Sequence, residues 1–143
     1  MQSWVVYGVI AAFCFGVTNV ILKVAQQKGN LSPYYLSFVF ALGVMLVSGL
    51  FMIFNHTVFQ FELKSNSLAL AAGILYTMGM LSVLIAIANK ADIARLAPIF
   101  NANTLITVIL GIIFLKEVPD VSQMMRVIGG AVLIVVGAVL VSV

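Results

Sequence analysis

Long apolar stretches separated by short polar breaks dominate the sequence. Because an α-helix rises about 1.5 Å per residue, about 20 apolar residues cross the roughly 30 Å hydrocarbon core of a bilayer. The sequence predicts five transmembrane helices of this length, over residues 4–22, 33–54, 68–88, 93–115 and 124–141. The predicted fold class is therefore an all-α integral membrane protein, in which residues 1–143 form a single five-helix domain.

Individual residues predict where the helices begin and bend. Pro33 opens the second helix, since proline is tolerated in a first helical turn, where its missing N–H has no intrahelical partner. Asp120 and Ser122 are the two candidates for the N-cap of the fifth helix. Pro98, early in the fourth helix, either kinks that helix or ends its first turns.

Composition excludes several functional classes. Hydrophobic residues make up 64% of the chain and charged residues 8%, whereas a soluble domain is about half apolar and a quarter charged. The net charge of +3 comes from seven Lys and Arg residues, too few for a nucleic-acid surface, so they indicate topology signals and lipid headgroup contacts. The single cysteine, Cys14, excludes an internal disulfide. We expect no metal, cofactor or catalytic site, and hence no enzyme.

The distribution of cations barely selects an orientation. Cytoplasmic loops normally carry an excess of Lys and Arg, and five helices place the two chain ends on opposite sides. The side of the N-terminus carries three cations, which are Lys64, Lys116 and Arg126. The other side carries four, which are Lys23, Lys28, Lys90 and Arg95. This near balance predicts insertion in both orientations and an antiparallel homodimer; the alternative is that a weak bias or a partner selects one orientation.

Small residues recur along the terminal helix, at Gly129, Gly130 and Gly137. In lipid no hydrophobic force draws helices together, so close approach at small residues supplies the packing. The three glycines therefore predict a dimer interface. Packing inside one subunit is the alternative.

The fourth helix carries the densest group of polar side chains within a predicted span. At 100° per residue, Asn103, Thr104 and Thr107 fall within an arc of about 100°, and Asn101 lies beside it. Polar groups at bilayer depth usually face protein or a water-filled cavity. These four residues predict a lumen that binds a small-molecule substrate, and hydrogen bonding between helices is the alternative.

Other helices supply weaker candidates for substrate binding. Asn19 and Lys23 share one stripe of the first helix, and Lys23 either enters the lumen or reaches the membrane interface. Tyr76, in the third helix, either lines the lumen or is hydrogen-bonded within the core. Because no Asp or Glu lies in the middle of a predicted span, we expect facilitated diffusion or exchange in preference to proton coupling.

Three segments, taken in order, resemble one transporter family. Residues 15–23 resemble the first-helix pattern of the EamA-type drug/metabolite transporter superfamily, in which a Gly precedes small polar residues and a Lys. Residues 86–117 are similar to its third and fourth helices, including Pro98 early in the fourth and Glu117 just after it. Residues 128–137 resemble its glycine-bearing last helix, and also the dimerising last helix of small multidrug resistance transporters. Two departures are the absence of the Arg that many family members carry in the second helix, and of the embedded Glu that small multidrug resistance transporters carry in the first.

The resemblance implies a function and an assembly. Typical members contain two five-helix repeats in opposite orientation, so this chain supplies one half of an inverted-repeat transporter, with substrate bound between the halves. The predicted function is transport of small organic metabolites or drugs by an antiparallel homodimer through alternating access. A flippase for a lipid-linked substrate and a membrane scaffold are alternatives. We expect a multi-pass protein of the cell (inner) membrane, with membrane lipid and a second copy as partners.

Overall fold

The computed structural model describes residues 3–117 and 120–142. Its helices are α1 (Ser3–Gly29), α2 (Pro33–Phe54), α3 (Leu63–Ala88), α4 (Ile93–Asn101), α5 (Asn103–Leu110), a π-helix (Gly111–Leu115) and α6 (Val121–Ser142). Since α4, α5 and the π-helix together form one segment, Ile93–Leu115, five segments are long and apolar enough to cross a membrane. The described residues contain no β-strand. The predicted all-α class with five spans is confirmed.

Three of the predicted helix limits are wrong. The first helix continues to Gly29 instead of ending at Leu22, the third begins at Leu63, and the last begins at Val121. The predicted limits stopped at charged and amide residues, but Lys and Gln are good helix formers. The long aliphatic stem of Lys also lies along apolar surface while its charged group reaches water.

One predicted helix start and one of the two candidate N-caps are confirmed. Pro33 is the first residue of α2. Asp120 caps α6, because its Oδ1 accepts a hydrogen bond from the backbone N–H of Ser122 at 3.2 Å. Ser122, the other candidate for the cap, lies inside the helix.

Contacts within the chain separate into two compact units, Met1–Lys90 and Ala91–Val143. In the first unit α3 packs against α1 and α2, and in the second α6 packs against α4 and α5. A domain is defined by independent folding and not by contacts alone, so the single domain over residues 1–143 stays a prediction.

The first unit is held together by a small core near the end of α1. Leu22, Leu36 and the fully buried Leu84 form this core, one residue from each of the three helices. Elsewhere the large apolar side chains face outward, as at Phe13 and Phe54, which are 72% and 77% exposed. Water-soluble proteins rarely expose such surfaces, so lipid is the natural solvent for these faces.

Gln26 is a buried polar side chain between α1 and α3, only 5% exposed. Its Nε2 donates a hydrogen bond to the backbone carbonyl oxygen of Leu84 at 3.1 Å. Its Oε1 is buried and has no hydrogen-bond partner among the described residues. A hydrogen bond contributes about 1 kcal/mol, whereas an unpaired buried polar atom costs about 1–3 kcal/mol. The amide group therefore adds little net stability.

We expect the Gln26→Met variant to be at least as stable as the parent protein. Methionine has a similar length, adapts to irregular spaces and removes the unpaired oxygen together with the hydrogen bond. The midpoint of thermal unfolding in detergent measures the effect. Leu84→Ala, in the same contact, is the control and should cost about 2–5 kcal/mol. A decrease in the thermal midpoint for Gln26→Met as large as that for Leu84→Ala would contradict the prediction.

Candidate functional site

The fourth transmembrane segment is interrupted near its midpoint. Helix α4 ends at Asn101, Ala102 forms a turn, and α5 begins at Asn103. Pro98 lies inside α4, and because proline has no N–H, the carbonyl one turn earlier loses its helical donor. At about 1.5 Å per residue, Ala102 lies about 14 Å along a segment about 35 Å long. When this segment crosses a bilayer, the interruption lies near the bilayer centre.

Backbone hydrogen bonds around the interruption are tighter than those of an α-helix. The Ala102 N–H donates to the Ile99 carbonyl at 3.2 Å, and the Leu105 N–H donates to the Ala102 carbonyl at 3.0 Å. Each bond spans three residues, the pattern of a 3₁₀ turn, which in mid-helix often marks a hinge. A local 3₁₀ adjustment is tolerated in a membrane helix because it keeps these backbone groups paired. The candidate site is therefore defined by the interruption together with the polar side chains that flank it.

Two asparagines flank the turn. Asn101 and Asn103 are both exposed, and neither carboxamide group has a hydrogen-bond partner among the described residues. Moving an amide from water into hydrocarbon without a partner costs about 4–8 kcal/mol. A bilayer cannot meet that cost with contacts of about 0.6 kcal/mol between helices. Both carboxamides consequently require water, a ligand or another protein surface.

The two threonines use their hydroxyl protons within their own segment. Thr104 Oγ1 donates to the Asn101 carbonyl at 2.9 Å, and Thr107 Oγ1 donates to the Asn103 carbonyl at 3.2 Å. Both side chains are exposed, and each oxygen keeps lone pairs that can accept a further hydrogen bond. All four polar residues predicted from the sequence thus lie at or just after the interruption.

The weaker candidates belong to the first unit. Asn19 and Lys23 are half-buried and lie one turn apart on α1. Lys23 was expected at the membrane interface because the first helix was predicted to end beside it. Since α1 continues to Gly29, Lys23 lies inside the helix. Tyr76, on α3, is 54% exposed. That these residues line one cavity with the fourth segment stays a prediction.

The glycines of α6 lie away from its packed face. Ala131 and Ala138 are buried, 3% and 5% exposed, and mark the face that packs within the second unit. Gly129, Gly130 and Gly137 are exposed, and a Cβ added at any of them would meet no described atom within 4 Å. Packing of these glycines inside their own unit is therefore not observed, and their role in a dimer interface stays a prediction.

An open groove at the end of the fourth segment was not predicted. It is lined by Thr107, Leu110, Gly111, Phe114, Leu115 and Glu117. The π-helix and the left-handed backbone of Lys116, with a φ of 54°, bring Glu117 to this groove. Sequence analysis placed Glu117 just after the fourth helix, where the structure has it. A 3.6-residue periodicity contains neither the π-helix nor the left-handed residue, so the groove itself was not predicted.

Comparisons with known proteins point to a family. The profile of the EamA-like transporter family matches residues 2–143. An uncharacterised protein of Methanocaldococcus jannaschii is 27% identical over 143 residues, which cover 100% of this chain and 98% of that protein. A protein of Streptococcus pyogenes serotype M1, whose name proposes a role in sugar uptake, is 30% identical over 103 residues. Those residues are 72% of this chain and 34% of the streptococcal protein. No solved structure matches the chain.

Proposed function

The chain belongs to the EamA-like transporter family, and we propose that it moves small polar organic molecules across the membrane as an antiparallel homodimer. The resemblance stated from residue patterns is confirmed by the match over residues 2–143. The chain is a multi-pass membrane protein with five candidate spans. The proposal adds the assembly, the alternating-access mechanism and the location in the cell (inner) membrane.

The interruption at Ala102 is the observation that carries the proposal. Transporters built from inverted repeats bind substrate near the bilayer midplane, where discontinuous helices expose backbone and side-chain polar groups. Here the discontinuity lies near mid-segment, between two asparagines with unpaired carboxamides. Contact with lipid would leave these groups unpaired at a cost of several kcal/mol, and a packing role would require a second protein surface that pairs both of them. A polar path along the fourth segment accounts for both features.

Two further observations support pairing with an oppositely oriented copy. The streptococcal relative has about 300 residues, because 103 residues make up 34% of it, and is thus about twice as long as this chain. The archaeal relative is matched over 98% of its length, so chains of this size occur elsewhere in the family's range. The count of three cations against four on the two sides favours insertion in both orientations.

Amides and hydroxyls define the substrate class that we propose. Asn101, Asn103, Thr104 and Thr107 offer neutral donors and acceptors, which suit the hydroxyl groups of neutral, zwitterionic or anionic metabolites. The name of the streptococcal relative makes a sugar the first substrate to test. Lys23, where two copies bring it to the path, would add positive charge for an anionic group.

Reporters on both sides of the membrane test the antiparallel assembly. We expect a reporter fused after Val143 to give signal on both sides, because cations only weakly select the orientation. A second reporter in the α2–α3 connection, near Thr57, serves as the control and should also report both sides. If each reporter gives signal on one side only, and the two sides are opposite, the homodimer of inverted copies is excluded.

A further inference from the structure

The open groove at the end of the fourth segment has a volume of about 530 Å³. We propose that it binds an organic ammonium ion. The carboxylate of Glu117 holds the positive charge, and the apolar body of the ligand lies against Leu110 and Phe114. This site is separate from the carboxamides at the interruption and adds a negative charge near the neutral polar groups of the fourth segment.

A backbone reversal places the carboxylate over the segment that precedes it. Lys116 ends the π-helix in the left-handed region, and the Glu117 N–H points back to the Gly111 carbonyl at 3.4 Å. The Glu117 Oε2 then lies so close to Gly111 that an added Cβ would be 3.1 Å from it. The missing side chain of Gly111 thus leaves room for the carboxylate.

The electrostatics of the groove favour a cation. Within the described part of the chain, no hydrogen-bond donor and no Lys, Arg or His nitrogen pairs with the Glu117 carboxylate. The C-terminal end of a helix carries partial negative charge from its unpaired carbonyl groups, and Glu117 lies beside such an end. The negative charge at the groove is therefore not neutralised by the chain itself.

The walls of the groove select the kind of cation. They are mostly apolar, and Ca²⁺ or Mg²⁺ requires six or more oxygen ligands, far more than one carboxylate supplies. An ammonium group on an apolar body satisfies both parts of the groove, through a charge-assisted hydrogen bond and contact with Leu110 and Phe114. The exposed ring of Phe114 can add a cation–π contact.

Thr107 connects the groove with the proposed transport path. It lines the groove, and its hydroxyl is bonded to the carbonyl of Asn103, so the groove lies at one mouth of that path. If the groove admits an amine-bearing substrate to the path, that role rests on the proposed function. Binding of the ammonium ion itself requires only the residues of the second unit.

Equilibrium dialysis with matched ligands tests the site. The purified protein in a non-ionic detergent is dialysed against each of two ligands, and their binding is compared. The ligands are phenethylamine, which is protonated at pH 7, and the neutral phenethyl alcohol. We expect Glu117→Gln to weaken amine binding by about ten- to a hundred-fold, as for loss of a hydrogen bond to a charged group. Alcohol binding should stay weak and unchanged. Glu62→Gln, at the exposed start of α3, is the control and should bind the amine as the parent protein does.

A second variant, at Gly111, tests whether the position of the Glu117 carboxylate matters as well as its charge. Gly111→Ala keeps Glu117 but places a Cβ 3.1 Å from its Oε2, which shifts the carboxylate by a few tenths of an ångström. It should weaken amine binding less than Glu117→Gln does, whereas Gly43→Ala, with open space around it, should leave binding unchanged. Thermal midpoints establish that each variant is folded. Equal binding of amine and alcohol, or amine binding that Glu117→Gln leaves unchanged, overturns the proposal. The dialysis experiment measures binding and not transport. Loss of the ammonium site would therefore leave the proposed transport function untested, and a protein that does not transport could still bind the amine in the groove.

Discussion

Replacing Asn103 by leucine should abolish transport and leave the protein folded and assembled in the membrane. Asn103 begins α5 directly after the interruption, and its carboxamide has no hydrogen-bond partner among the described residues. Its removal therefore breaks no observed side-chain hydrogen bond. Leucine is also a better helix former than asparagine, so stability should be kept or improved.

The expected loss of transport follows from the position of the carboxamide. A substrate at the midplane must exchange its hydrogen bonds with water for hydrogen bonds with the path, and an unpaired polar group costs about 1–3 kcal/mol. Leucine both removes a partner and narrows the path with an apolar group. Thr104→Val should have a smaller effect, because the hydroxyl proton of Thr104 is already bonded to the Asn101 carbonyl.

Uptake into proteoliposomes measures this effect, beginning with labelled glucose and extending to other sugars. Ser48→Leu is the matched control, since Ser48 is an exposed polar residue within α2 whose hydroxyl is bonded to the Val44 carbonyl of its own helix. It should transport at the rate of the parent protein. Gel filtration and thermal midpoints check assembly and folding. Undiminished uptake by Asn103→Leu, with folding intact, would favour a scaffold role for the polar residues.

The number and order of the spans could be predicted from the sequence because bilayer thickness imposes a length on every apolar stretch. The starts at Pro33 and Asp120 were predictable for the same kind of reason, since proline and capping residues have local preferences. Helix ends were less predictable. The continuation of α1 through Lys23 to Gly29 fits the good helix propensity of Lys and Gln and the hydrogen bond from Gln26 to α3, neither of which hydropathy records.

The candidate site was predictable in its residues but not in its backbone. Four polar side chains at helical spacing indicated the fourth segment, and Pro98 indicated a bend or an early stop. The actual interruption lies at Ala102, after Pro98, where no residue is itself a helix breaker. The position of Glu117 over Gly111 depends on a π-helix and a left-handed residue, neither of which has a sequence signature here.

Shifting the cation balance should force the chain into one orientation and abolish transport. The double variant Lys64→Gln, Lys116→Asn leaves Arg126 as the one cation beside the N-terminus, against four on the other side. The side with the excess of cations should then face the cytoplasm, and the C-terminus lies on that side. Asparagine is chosen at position 116 because it tolerates the left-handed backbone observed there, with a φ of 54°.

The opposite variant should have the opposite topology. Lys28→Gln, Lys90→Asn and Thr57→Lys leave two cations on the C-terminal side against four beside the N-terminus, so the C-terminus should face outward. Each variant alone should show one orientation in the reporter assay and take up substrate no faster than empty vesicles. Co-expression of the two should restore uptake, because it supplies the two inverted halves that neither provides alone. Full uptake by one variant in a single orientation would instead require a parallel assembly. The cation balance would then play no role in forming the transporter.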